Sequence, residues 1–346
     1  MKRKVYPSIA DVAKLADVSI ATVSRVLSNS AAVSAATVAR VTEAVARLKY
    51  SKSGATPQRR SVAVFLPDIL DQFFANLLKG IGDVARLHCF DLVLCNSDNM
   101  EAHERTALKS ILESSCEGVI MVPTGTQKSL VDMVLSKPGF HHVFLDRIIE
   151  DERINYIVSD DKEGAYLATK YLLDLGHRRI LYIGGPKGLS TEKNRLSGYR
   201  KALESAGLPA NDKLILEQSF AAEDAYRVIL RAMNGKGDFS AVFCANDTIA
   251  IGVKRAAEDN GLAVPDNLSI VGYGNIPLSD YLALTTVSMP AYEMGKNAFQ
   301  LFLDLAEGRE KPIKRVVLRP SIIIRSSCRK VEAHMMDPQV QASREG

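Results

Sequence analysis

The spacing of apolar residues changes near residue 60. Before it they recur at intervals of three and four. Ile9, Val12, Ala13 and Ala16 mark one face of a helix, Val23, Val26 and Leu27 a second, and Val38, Val41, Val45 and Leu48 a third. A serine precedes each stripe: Ser8, followed three residues on by Asp11, then Ser19 and Ser34. Such serines cap helix N-termini. A short break at Asp17–Val18 separates the first two helices. Three short helices with one apolar face each form a core of about 45 residues, marginal on its own.

From Val62 onward, apolar runs of five or six residues alternate with helical stretches. VAVFLP, DLVLCN, GVIMVP, HVFLD, RILYIGG, AVFCAN and SIVGYG read as strands, and FFANLLKGIGDVARL and EGAYLATKYLLDLG as helices between them. This alternation predicts parallel α/β sheets covered on both faces. About 270 residues exceed one compact sheet of this kind, so two lobes are expected.

Charge separates the same two regions. Residues 1–60 carry 5 Lys and 6 Arg against 2 Asp and 1 Glu, a net of +8. The whole chain is +4, so the rest is −4. A basic head on a slightly acidic body fits either a polyanion partner for the head or a solvated basic terminus. The basic start MKRKVYPSIADVAK is interrupted by Asp11 and Lys14 before an export-type apolar segment forms, and no apolar run is long enough to span a bilayer. The expected location is the cytoplasm, with no membrane partner. Cys89, Cys95, Cys116, Cys244 and Cys328 lack CxxC spacing and read as buried, reduced thiols.

The second helix is too polar to be buried and too regular for a loop. Ser19, Thr22 and Ser24 offer hydroxyls to phosphate oxygens, and Arg25 offers a guanidinium matched to the edge of guanine. This fits a helix-turn-helix reader of DNA, though a generic three-helix subdomain shares its periodicity. In the body, polar residues collect at strand ends: Asp68 ahead of Phe73–Phe74, Asp146–Arg147, Asp160–Asp161, Asn246–Asp247 and Tyr273–Gly274–Asn275. Any one of them suits a helix cap. Five clusters at strand ends favour a shared ligand site at the carboxyl edges of the sheets. Dinucleotide, P-loop, metalloprotease and nucleophile-elbow motifs are all absent, and His141–His142 opens a strand where exposure is expected. No enzyme, cofactor or metal role is expected.

The stretch SIADVAKLADVSIATVSRVLSNSAAVSAATVARVTEAVARLKY resembles the DNA-binding head of the LacI/GalR family of bacterial repressors. The match runs through Asp11-Val12-Ala13, Ala16, Val18-Ser19, Thr22-Val23-Ser24-Arg25, Val33-Ser34 and Tyr50. Asp17 stands where the family usually has a turn glycine. The resemblance continues to about residue 328 through LGHRRILYIGG, RLSGYRKAL, FCANDTIAIGV, VPDNLSIVGYGN, LTTVSMP and LRPSIIIRSS. It implies an α/β fold: a helix-turn-helix domain (1–50), a short linker (51–61) and an effector-binding core (62–330) like the periplasmic sugar-binding proteins. Lobe one would hold 62–159 plus 291–320 and lobe two 160–290 plus 321–330, with three crossings between them. A tail (331–346), without a leucine heptad, would be disordered.

By the resemblance, Ile20, Ala21 and Arg25 meet base edges, and Thr191, Arg195, Phe220 and Asn246 contact an effector. Together the readings place DNA contacts at Ser8, Ser19, Ile20, Ala21, Thr22, Ser24, Arg25, Ser34, Tyr50, Lys52 and Arg59. Effector contacts fall at Asp68, Phe73, Phe74, Asp146, Asp160, Thr191, Arg195, Phe220, Asn246, Tyr273, Gly274 and Asn275. The linker SKSGATPQRRS has no leucine for the family's minor-groove wedge, which leaves Lys52, Arg59 and Arg60 to meet phosphates. Gly274 replaces the family's usual aspartate while Arg195 remains, a balance that modestly favours an acidic or phosphorylated effector over its neutral parent sugar, although Asp146, Asp160 and Asp161 could supply the missing carboxylate from another strand. The expected protein is a homodimeric regulator that binds a near-palindromic double-stranded operator and is switched by a carbohydrate-derived small molecule. The rival is a periplasmic-type sugar receptor without DNA function, disfavoured by the basic head.

Overall fold

The computed structural model describes residues 8–28, 33–48, 60–234, 238–309 and 313–331. Contacts group the chain into two units, Met1–Arg59 and Arg60–Gly346. The first holds α1 (Ile9–Ala16), α2 (Ile20–Ser28) and α3 (Ala35–Leu48). Its core is Val12, Ala13, Ala16, Val23, Val41 and Ala44, with Ile9, Val26, Leu27, Val45 and Leu48 packed around them. Val38, expected in the stripe, stays 38% exposed, and Ala44 is buried instead. Asp17 ends α1 in the left-handed region (φ 51°, ψ 54°) and its N–H donates to the Ala13 carbonyl. Aspartate tolerates this conformation better than most residues, so the turn forms without the glycine.

The second unit begins β1 (Arg60–Leu66), α4 (Gln72–Leu87), β2 (Phe90–Asn96), α5 (Glu101–Glu113), β3 (Gly118–Met121), α6 (Lys128–Leu135), β4 (His141–Leu145) and β5 (Tyr156–Ser159). It continues with α7 (Asp161–Asp174), β6 (Ile180–Gly184), α8 (Ser190–Ser205), β7 (Ile215–Glu217), α9 (Ala222–Asn234), β8 (Ala241–Cys244), α10 (Asp247–Asp259), β9 (Ser269–Gly274), α11 (Pro277–Tyr281) and β10 (Thr285–Ser288). It closes with α12 (Ala291–Ala306), β11 (Arg315–Leu318) and β12 (Ser321–Ile323).

The strands form two six-stranded sheets, ordered β11-β5-β4-β3-β1-β2 and β12-β10-β9-β8-β6-β7. The first is parallel throughout, with β1 between β2 and β3 (Val64 opposite Leu94 and Ile120). In the second only β12 runs antiparallel. The chain passes between the sheets after β5, after β10 and between β11 and β12, the three crossings the resemblance implied.

Burial on both faces explains the continuous apolar runs. Along β1, Val62, Val64 and Leu66 join one cluster with Leu77, Ile81, Phe299 and Phe302, while Ala63 and Phe65 join another with Leu108, Ile111, Val131 and Val134. Helices α4 and α12 pack backbone to backbone. A Cβ on Gly80 would fall 2.1 Å from the Tyr292 carbonyl oxygen, and one on Gly295 2.1 Å from that of Leu77.

Four expectations change. Arg60 and Ser61, assigned to the linker, start β1, and the Arg60 guanidinium binds both carboxylate oxygens of Glu117 (2.6 and 2.5 Å) above the Phe90 ring. It is therefore engaged within the core rather than held for phosphate. His142 is buried, and burial pushes its imidazole down to about 4. All five cysteines are free, but only Cys116 and Cys244 are buried; Cys95 and Cys328 are half-buried and Cys89 is exposed. Strands β7, β10, β11 and β12 were not legible as strands, being only three or four residues long and, in β10, rich in threonine. The linker residues 51–59 and the tail 332–346 lie outside the described residues.

Candidate functional site

In the head, each predicted capping serine caps. Ser8 Oγ accepts from the Asp11 N–H (3.3 Å), and the Ser8 N–H and hydroxyl both donate to Asp11 Oδ2 (2.7 Å each). These bonds lower the Asp11 carboxyl below its usual range. Ser19 Oγ accepts from the Thr22 N–H (3.1 Å) and pairs with the Thr22 hydroxyl, and Ser34 does the same with Thr37. All three serines remain exposed. On α2, Val23 turns inward with no exposure, while Ile20 (51% exposed), Ala21, Ser24 and Arg25 lie open at positions i, i+1, i+4 and i+5. One helical face thus presents two apolar groups, a hydroxyl and a guanidinium, with Thr22 half-buried beside it. Tyr50, Lys52 and Arg59 lie outside the described residues.

In the core, a cleft of about 600 Å³, partly open solvent, lies at the carboxyl ends of both sheets. Its wall includes Asp68, Phe73, Phe74 and Asp146 from the first sheet's strand ends and α4, and Thr191, Arg195, Phe220, Asn246, Tyr273 and Gly274 from the second's strand ends and α8. Ten of the twelve expected effector residues therefore converge. The other two do not line it. Asp160 caps α7, its carboxylate accepting from the Glu163 N–H (3.0 Å). Asn275 is turned to Ser288 (3.4 Å) and to Arg325, whose guanidinium donates to its Oδ1 (3.0 Å).

Aromatic rings come from both lobes. Phe73 and Phe74 meet edge to face at 5.3 Å. Phe220 lies so close to Gly185 that a Cβ there would touch its ring at 2.2 Å, so the absent side chain admits the ring.

Arg195 is 5% exposed and almost wholly committed. Its Nε donates to Asp161 Oδ1 (2.8 Å), Nη1 to the Ala245 carbonyl (2.8 Å) and Nη2 to the Met289 sulfur (3.6 Å), and its guanidinium carbon lies 4.1 Å from the Tyr273 ring centre. Burial opposes its charge, but Asp161, Tyr273 and Asp146 outweigh that and hold its pKa high. Burial in turn lifts Asp161 to about 6 against the pull of Arg195. The pair is ionised at neutral pH.

Two expectations about charge are corrected here. Gly274 has φ 124°, a conformation that L side chains rarely adopt, so the position does not suit the family's carboxylate. The wall still carries an acid there, because Asp247 Oδ2 lies 3.7 Å from where a Gly274 Cβ would be. That carboxylate accepts from Thr286 Oγ1 (2.6 Å), the Ile276 N–H (2.9 Å) and Ser279 Oγ (2.7 Å). The shift toward positive charge expected from that loss is also offset: the lining contains four aspartates (Asp68, Asp71, Asp146, Asp247) and two arginines (Arg147, Arg195). An anionic effector is not favoured by this wall.

Reading the sequence missed Asp71, Asn99, Thr248, Ile276 and Met289 in the lining. Asp71 had a usable signal, since it caps α4 by accepting from the Phe73 N–H (2.8 Å) just ahead of the two phenylalanines. Met289 had none, because it follows the unrecognised β10. Among the described residues, no group of three His, Cys, Asp or Glu side chains is placed to hold a metal ion, and no helix is long and apolar enough to cross a membrane.

Comparison with known proteins agrees with both halves. Residues 8–53 match the family described as bacterial regulatory proteins, lacI family, and residues 169–328 match a periplasmic binding protein-like domain. The chain is 31% identical over 331 residues to the HTH-type transcriptional repressor PurR of Vibrio parahaemolyticus serotype O3:K6 (strain RIMD 2210633), covering 94% of this chain and 99% of that protein. It resembles the solved transcriptional regulator CelR–cellobiose complex (TM-score 0.72, 27% identity, 93% of this chain and 99% of that one). It also resembles a LacI family transcriptional regulator from Enterococcus faecium with bound ribose (TM-score 0.73, 27% identity, 79% and 100%). With a near full-length relative at this identity, a capped helix-turn-helix and a two-lobed core, the chain belongs to the lacI family of bacterial transcriptional regulators.

Proposed function

We propose that this regulator acts in the cytoplasm as a homodimeric repressor, that its two heads read the equivalent halves of a near-palindromic operator, and that a carbohydrate in the core cleft switches it. The head is assigned to 1–50, the connection to 51–59 and the effector-binding core to 60–330. Arg25 is the hydrogen-bonding base reader, with Ile20 and Ala21 giving apolar contact to thymine methyls. Ser8, Ser19 and Ser34 sit at helix N-termini that suit phosphate oxygens. A dimer is supported by β2, an edge strand that leaves Val93 (39% exposed) and Leu94 (45%) open, a surface that lone proteins usually cover.

The observation that carries the effector reading is the cleft wall. Phenylalanines from two lobes share the wall with planar polar groups (Asp146, Asn246), and the buried guanidinium is already paired. That combination suits the apolar faces and edge hydroxyls of a sugar better than a carboxylate or phosphate. The relatives solved with cellobiose and ribose support it.

A thermal-shift screen of sugars, sugar acids and sugar phosphates tests the reading. A cleft ligand at 100 times its Kd adds about 2.7 kcal/mol of stability. Sugars are expected to shift the transition, and a response to acids and phosphates alone contradicts the reading. Footprinting should give two equivalent half-sites; one half-site protected by a monomer contradicts the dimer.

A further inference from the structure

We infer that the effector is a carbohydrate bearing a protonated amine, which sits against Asp71 and Asp146 in the cleft. The inference rests on the carbohydrate reading above and names the class of sugar.

Charge in the wall is unevenly satisfied. Arg195 is neutralised by Asp161, which lies behind the wall. Arg147 donates to the Pro123 carbonyl (3.1 Å) and reaches Asp146 Oδ2 only at 3.9 Å. Asp247 is held by neutral donors. Among the described residues, the side chains of Asp68 and Asp71 accept only from backbone N–H groups, those of Leu70 and Phe73. Asp71 lies within range of the charges on Asp68, Asp146 and Asp247, and burial and this crowding raise its pKa despite the bond from Phe73. Four carboxylates in the lining thus face two guanidiniums, Arg195, committed to Asp161, and Arg147, which acts on both Asp71 and Asp146, so the wall keeps an excess of negative charge.

A second observation is a carboxylate oxygen in this wall that lacks a donor. Asp146 is 6% exposed and lines the cleft, and its Oδ1 has no hydrogen-bond partner. A buried acceptor without a donor is destabilising until one arrives. An ammonium group brings three N–H donors and a positive charge. Its bonds to carboxylates are about twice as strong as those of a neutral hydroxyl. A metal ion is a poor alternative, since the described residues form no ligand set. A sugar acid would meet like charges instead.

The test is calorimetry on the full chain with matched trios: glucose, glucosamine and glucuronate, then galactose, galactosamine and galacturonate, at a pH that keeps the amines protonated. In the trio that binds, the amine is expected to bind about ten-fold tighter than its parent, or about 1.4 kcal/mol, and the acid weakest. Asp71→Asn should shrink that advantage below about three-fold, and Asp68→Asn, which is not placed against the amine, should shrink it less. A parent sugar binding as tightly as its amine overturns the inference and leaves the carbohydrate reading standing. Silence across both trios overturns the carbohydrate reading and the inference with it.

Discussion

Arg25 in the head and Arg195 in the core were both assigned to contacts from sequence, and their surroundings are opposite. Arg25 is exposed on a helix whose domain has a core of six small buried side chains. Arg195 is buried, and its three partners lie 34, 50 and 94 residues away along the chain. The exposed group was assigned from residue type and helical position alone. A buried group is assigned by what surrounds it, and those neighbours come from distant segments.

The largest test of this contrast is Asp161→Ala. It strips the buried guanidinium of its counter-charge and should destabilise the core by about 3–5 kcal/mol, read by urea denaturation. A loss under about 1 kcal/mol would show that Arg195 is not held by Asp161, and would return it to the ligand. Arg25→Ala should act the other way round. Stability should change by no more than about 0.5 kcal/mol, while specific operator binding at fixed salt weakens by about 1–3 kcal/mol. Equal affinity for operator before and after the change would remove the base-reading role.

Next in size is Ser8→Ala, which breaks the capping box and should cost the head about 1 kcal/mol, seen as faster amide exchange in α1 with the core unchanged. The smallest effect is the opposing pH response of the two units. Asp11 is held below its usual range by Ser8, so its contribution is present above about pH 3.8 and lost as pH falls through the lowered value. Asp161 is raised from 3.8 to about 6 by burial, so the folded core binds its proton more tightly than the unfolded chain. Its contribution is present below pH 3.8 and is lost as pH rises to about 6. Amide exchange corrected for intrinsic rates should show α1 and α7 responding in opposite directions, and Asp161→Asn should remove the α7 response.

Legibility followed the same division. The three head helices could be read because each carries its own stripe and its own cap within a few residues, and Asp17 could stand in for glycine because the need is local. The main strands could be read from unbroken apolar runs, and seven of the ten lining positions from their place near strand ends, while Thr191, Arg195 and Phe220 came from the resemblance. Asp160 and Asp161 mark the limit. They are adjacent and chemically identical, yet one caps a helix and the other pairs with Arg195, and only the approach of α8 to α7 decides which. Gly274 makes the same point. Its lost carboxylate suggested an anionic ligand, but Asp247 from the next strand end stands beside the gap. The edge strands were missed because three or four residues between turns carry too little pattern.

The central claim is that occupancy of the core cleft changes DNA binding by the head. Fluorescence anisotropy of the full chain on its operator, with and without a sugar that calorimetry shows bound, tests it most directly. The account predicts a change in operator affinity of about ten-fold or more, in the usual range of coupling between sites, which needs a higher sugar concentration in Asn246→Ala, where sugar binding is expected to be weakened. An operator affinity that stays the same while the cleft is demonstrably saturated would contradict it.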